Sequence, residues 1–176
     1  MHTSIKRSHS RAGFTLGEVM VAFSILAITI TAASLAYTMS IRIWRQASAR
    51  MNASSSASVA LTRCTMGVGS GFGLRAAFLP VQIDNSSSGW QIRFTTPASM
   101  SGDATTANTL TYNTGARTIT YQSGTNSPAV VGRNIVASSA IQASGAITLT
   151  VRAQALTGYT NITSEMSTSI NPRNRS

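Results

Sequence analysis

Gly13-Phe14-Thr15-Leu16-Gly17-Glu18 opens the stretch that decides the fold. The run behind it, VMVAFSILAITITAASLAYTMSI over 19–41, carries no charge, no Gly and no Pro. At a rise of ~1.5 Å per residue, those residues make a helix of roughly 35 Å, enough to cross a hydrocarbon core of ~30 Å. Upstream, residues 1–13 hold Lys6, Arg7 and Arg11 and no acid. A basic head before an apolar helix is retained on the cytoplasmic side, so the chain beyond Ile41 is expected outside.

Two details separate this stretch from an ordinary signal anchor. A secretory cleavage signal follows its apolar run, whereas here the small residue, Gly13, precedes it. A carboxylate, Glu18, stands at the lip of the run, where burial of an isolated charge costs several kcal/mol unless a cation pairs with it. Nothing inside the apolar run supplies a cation. A cut after Gly13 would create one, the new α-amino group of Phe14. A plain signal anchor with a chance Glu18 is the alternative reading.

Lys6-Arg7, then Arg11-Ala12-Gly13-Phe14-Thr15-Leu16-Gly17-Glu18-Val19, resembles the prepilin cleavage and methylation signature of type IV pilins and type II secretion pseudopilins. The resemblance implies that prepilin peptidase cuts between Gly13 and Phe14 and N-methylates Phe14. It implies that Glu18, fifth in the mature chain, recruits the subunit into a filament by pairing with a neighbour's N-terminal amine. Two charges ~4 Å apart gain ~4 kcal/mol at an effective dielectric near 20. Gly17 departs from the bulkier apolar residue usual before that Glu, but touches neither the cut nor the carboxylate. Implied partners are other pilin or pseudopilin subunits, prepilin peptidase, the inner-membrane assembly platform and the membrane, crossed once.

The 176 residues suit one exported domain plus a membrane appendage. Expected divisions are a leader at 1–13, a transmembrane and filament-core half of the helix at 14–41, and its outer half at 42–64. A Gly-rich linker follows at 65–73, then a β-rich exterior domain at 74–176. Trp44 between Arg42 and Arg45 marks the outer membrane interface, where aromatic rings and snorkelling guanidiniums are at home. On the outer half, Trp44, Ala47, Met51, Ser58 and Leu61 fall near helical spacing and are expected to face the sheet, with small side chains letting it lie close.

Gly67, Gly69, Gly71 and Gly73 alternate, but they follow a helix and open a strand, the reverse of a phosphate loop's context. A flexible helix-to-sheet connection is expected. Beyond it the pattern turns to period two. Strands are expected at 74–83 (interrupted by Pro80), 89–95, 110–112, 118–121, 129–131, 135–136, 146–153 and, as an edge, 166–170. Residues 110–121 form a hairpin around a Gly-containing turn. The fold class is therefore α+β: one long N-terminal helix packed by its outer half on an antiparallel sheet. A strong penultimate strand, a polar loop, a last strand and a terminal Arg173-Asn174-Arg175 resemble larger minor pilins and pseudopilins. The absence of Pro from the membrane helix points the same way.

Catalysis, metals and cofactors find no support. His2 and His9 leave with the leader, and the exterior keeps only Asp84, Asp103 and Glu165, each in a polar, loop-like context. Zinc needs His or Cys in numbers this chain lacks, and calcium needs clustered carboxylates. Cys64, the single cysteine, is expected to be buried and inert. The net charge of +10 permits anionic lipid, nucleic acid or acidic partners. Nucleic acid gives the second reading, a DNA-binding minor pilin of a competence pilus. Arg75, Arg93, Arg117, Arg133 and Arg152 would form a phosphate stripe near Trp90, Tyr112 and Tyr121. Their single spacing, with no basic run, favours scattered solvation instead.

The first reading is thus a minor pilin or pseudopilin. It is stored in the bacterial inner membrane with its C-terminal domain in the periplasm, then built into a filament. Secretion pseudopilus, retractile pilus and competence apparatus stay open.

Overall fold

The computed structural model describes residues 13–69, 71–98, 104–157 and 160–173, with only the backbone of Thr157. The leader cations and both histidines, Asp103, Asn174 and Arg175 lie outside the described residues.

One helix, α1, runs from Leu16 to Met66, 51 residues. Eight strands follow: β1 (Phe78–Ser86), β2 (Gly89–Pro97), β3 (Thr105–Asn113), β4 (Thr118–Ser123), β5 (Ala129–Arg133), β6 (Ile135–Ala143), β7 (Ala146–Thr157) and β8 (Thr160–Ile170). They form an antiparallel five-stranded sheet, β1-β2-β3-β4-β5, and an antiparallel three-stranded sheet, β6-β7-β8. The fold is α+β, as the sequence patterns predict. The chain divides into two compact units, Met1–Trp44 and Arg45–Ser176.

In the first unit the helix exposes its apolar side chains. Phe23 is 67% exposed and Ile28 71%, and the most apolar window has no buried residue. By length and composition this helix is sufficient to cross a membrane. Ser24, Thr29, Thr31, Ser34 and Thr38 interrupt the apolar run, yet each hydroxyl donates to a carbonyl three or four residues back. That bond removes the need for water, so the hydroxyls can sit in hydrocarbon at little cost.

In the second unit the buried face of α1 is Ala49, Ala53, Ala57, Ala60, Leu61 and Cys64. The expected face is therefore corrected: Leu61 is buried, but Trp44 (70%), Met51 (66%), Ala47 and Ser58 are exposed. Backbone proximity decides the difference. A β-carbon built on Gly132 of β5 would lie 2.9 Å from that of Ala60, so only the alanine stripe fits against the sheet.

Strands alternate as period two demands: Trp90, Ile92, Phe94 and Thr96 of β2 point inward, and so do Ile147, Leu149, Val151 and Ala153 of β7. The two sheets share one core with the outer part of α1. Trp90 Nε1 donates to Ser138 Oγ (3.1 Å), which donates on to the Thr150 carbonyl (2.8 Å). The Tyr112 hydroxyl donates to the Ile135 carbonyl. These bonds stitch β2 and β3 to β6 and β7.

Strand bounds depart from expectation at several points: Leu74–Ala76 form a 3-10 turn, so β1 starts only at Phe78, and β3 reaches back to Thr105 rather than Leu110 because it pairs along the whole of β2. Pro80 does not end β1, because β1 is an edge strand, where a missing amide is tolerated, and the register shifts there between Phe78 and Gln82. β6 and β8 run far beyond 135–136 and 166–170, because both pair with the long β7. Arg173, beyond β8, lies beside the start of β1, with its amide on the Ala77 carbonyl (2.8 Å) and the Leu79 amide on its carbonyl (3.2 Å).

The Gly connection is crowded. A β-carbon at Gly71 would lie 2.4 Å from the Tyr121 hydroxyl oxygen, and one at Gly73 would lie 2.5 Å from the Thr65 carbonyl. The glycines serve close approach as much as freedom of backbone. The Tyr121 hydroxyl, shared between the Phe72 carbonyl and Asn108 Oδ1, fastens this segment to the buried Asn108–Thr96 pair.

Candidate functional site

The residues singled out in the sequence sit at the start of α1. Gly13 and Phe14 are exposed and precede the helix, and Phe14 is 86% exposed. Thr15 occupies the N-cap and Glu18 the third helical position. The Thr15 amide donates to the Glu18 carboxylate (2.9 Å), the Thr15 hydroxyl donates to the same oxygen (3.1 Å), and the Glu18 amide reaches back to the Thr15 hydroxyl oxygen (3.3 Å). A reciprocal box of this kind satisfies amides that a helix start otherwise leaves orphaned. Thr15 was not among the expected site residues, although Thr15-Leu16-Gly17-Glu18 has the spacing of a capping box. A β-carbon at Gly17 would meet nothing within 4 Å, so no crowding within this chain requires a glycine there.

Among the described residues there are two salt bridges, Arg93–Asp84 (3.7 Å) and Arg152–Glu165 (2.5 Å). Neither involves Glu18, whose carboxylate has an amide and a hydroxyl for partners and, among the described residues, no cation. Asp84 and Glu165 lie on strands, not in the expected loops, and each is tied to an arginine.

The expected arginines are all exposed, but the aromatic rings near them in sequence are not. Trp90, Tyr112 and Tyr121 are each 3% exposed. Trp90 and Tyr112 pack on one another with centroids 6.1 Å apart. Burial pushes both tyrosine hydroxyls up in pKa, with desolvation the main cause. These rings offer no face for stacking bases. Cys64 is fully buried, and desolvation pushes its thiol up to about 12. Among the described residues no three His, Cys, Asp or Glu side chains come together in a metal-holding group.

An exposed Gly13-Phe14 segment, a carboxylate tied to Thr15 and an exposed apolar helix stand together at the N-terminus, consistent with a type IV pilin-like protein. Residues 8–34 match the family model for the prokaryotic N-terminal methylation motif. That motif supports a pilin-like or pseudopilin subunit of the cleaved and methylated kind, and the single long apolar helix fits a membrane-anchored protein. No curated protein and no solved structure shows significant similarity to the chain.

Proposed function

We propose that this chain is a minor subunit of a type IV pilus or type II secretion pseudopilus. Prepilin peptidase cuts it between Gly13 and Phe14 and methylates Phe14, and Glu18 then brings it into the filament. In this scheme 1–13 is the leader, 14–41 the membrane and filament-core segment, 42–64 the outer half of the helix, 65–73 the connection and 74–176 the exterior domain. The subunit waits in the inner membrane with its exterior domain in the periplasm and docks on the assembly platform. Helix packing against other subunits then replaces lipid contacts with little change in apolar burial.

The observation that carries this reading is the methylation motif lying across the residues where a carboxylate, with no cation partner among the described residues, stands at the start of an exposed apolar helix. A Phe14 ammonium from an adjoining subunit supplies the missing cation.

The test is mass spectrometry of protein extracted from membranes of cells with an active prepilin peptidase, paired with filament assembly of Glu18→Ala. A chain beginning at N-methylated Phe14 is expected, and the variant is expected to be inserted and cut but poorly assembled. A retained leader would end the processing assignment. Normal assembly of the variant would end the role of Glu18.

A further inference from the structure

The free edge of β5 and the outer half of α1 enclose a groove in the exterior unit. Val59 and Arg63 of α1 face Val130 and Arg133 of β5 across a hollow of about 270 Å³. A second hollow of about 420 Å³, with Arg117 at its side, adjoins it through Ser56 and Asn134, which line both. Among the described residues no carboxylate lines either hollow. Among the described residues none of Arg63, Arg117 and Arg133 pairs with an acid, whereas Arg93 and Arg152 both do.

Two further observations concern the backbone. β5 is the last strand of its sheet, so the outward row of its amides and carbonyls has no strand beside it. Arg117 (φ 53°) and Asn134 (φ 58°) hold the left-handed conformation, where glycine costs less. Both strained positions keep side chains that line the groove.

We propose that this groove receives an extended, carboxylate-bearing segment of a different protein. The segment lies beside β5 as an added strand, its acids on Arg63, Arg133 and Arg117 and its apolar side chains against Val59 and Val130. Main-chain pairing supplies affinity in such strand addition, and alternate side chains supply selection. Guanidinium groups match carboxylates in a two-pronged geometry. A second copy of this chain is the wrong occupant. Residues 45–176 hold ten arginines against Asp84, Asp103 and Glu165, and Asp84 and Glu165 are engaged with arginines of their own chain. Nucleic acid fits less well, because among the described residues no aromatic lines the groove to stack a base. The proposal rests on the exterior unit alone and stands or falls separately from filament assembly.

The test uses the full chain in detergent and fluorescent octapeptides that alternate Thr with Glu or Thr with Gln, at about 0.1 M salt so that only close charges count. The Glu peptide is expected to bind at least about tenfold tighter than the Gln peptide, and the double variant R63Q/R133Q to lose about that factor. R93Q, which changes an arginine already paired elsewhere, is expected to leave binding unaltered. R117G relieves a strained backbone, so it is expected to weaken binding while keeping or raising the melting temperature, which separates loss of the site from loss of the fold. Methylating alternate backbone nitrogens of the Glu peptide is expected to abolish binding.

Several outcomes would overturn the proposal: no binding of the Glu peptide, equal binding of both peptides, an equal loss in R93Q, or unaltered binding after backbone methylation. Tighter binding of a twelve-nucleotide oligothymidylate, lost in R63Q/R133Q, would overturn it in favour of nucleic acid.

Discussion

The amide of Thr15 donates to the carboxylate of Glu18 at 2.9 Å, and the amide of Glu18 donates to the hydroxyl of Thr15 at 3.3 Å. The Thr15 amide belongs to the Phe14–Thr15 peptide bond, so a cut after Gly13 leaves this box intact. It would set a new ammonium one residue upstream of the box. Thr15→Val keeps the side-chain shape and removes the hydroxyl. Loss of an N-cap oxygen costs about 0.5–2 kcal/mol, so the first turn of α1 is expected to open more often. Amide hydrogen exchange reads this directly: the Glu18 amide should exchange faster in the variant, and unchanged protection would show that the box does not hold the helix start.

Ala60 and Gly132 meet too closely for one more carbon. Gly132→Ala places a methyl group 2.9 Å from the Ala60 β-carbon, and neither side is a flexible chain end. Forced overpacking of this kind costs about 1–3 kcal/mol. Thermal unfolding of the detergent-solubilised protein should show a lowered midpoint, and Ala60→Leu should lower it further. A neutral Gly132→Ala would mean that helix and strand separate freely there.

Ser138 holds the indole of Trp90 from the opposite sheet. Ser138→Ala removes the acceptor and leaves a buried N–H without a partner, at a cost of about 1–3 kcal/mol. Trp90→Phe removes the donor as well, so its loss should come from packing alone. Combining the two should cost less than the sum of the single changes, and strict additivity in chemical denaturation would remove the bond from the account.

Cys64 makes stability fall in alkali. The folded chain keeps the thiol protonated up to about 12 against an ordinary value of 9.0, so it binds that proton more tightly than the unfolded chain does. The contribution is complete below about pH 9 and is lost as pH rises from there towards 12, at about 1.4 kcal/mol per pH unit for one proton. Cys64→Ala should flatten that slope by one proton's worth, leaving the decline from Tyr112 and Tyr121, whose hydroxyls are also raised. The thiol should resist alkylation at pH 8 until denaturant is added. Rapid alkylation of the native protein would contradict its burial.

Much of the exterior fold was legible because its cause is local. Alternation in Trp90-Gln91-Ile92-Arg93-Phe94 marks a strand with one wet face whatever it pairs with, and β2 is there. Residues 110–121 turn back on themselves, although the left-handed residue of that turn is Arg117, not Gly115. Long-range pairing was not legible. Ile135-Val136 alone suggests a stub, and it is the eight-residue ladder with β7 that carries β6 on to Ala143. The inward face of α1 was misread for a related reason. Size and hydrophobicity favour Trp44 and Met51, but the helix lies so close to β5 that only methyl groups fit.

By itself the sequence determined the N-terminal element, because a charge-free span, a basic head and a Gly-Phe junction before Glu18 act through transfer free energy and local chemistry. The tertiary structure alone decided that the stacking aromatics are buried, and that Arg63, Arg117 and Arg133 share a groove while Arg93 and Arg152 are neutralised. Those outcomes depend on which backbones come within a few ångströms of each other. Residues far apart in sequence acquire that proximity only when the sheets close over the helix.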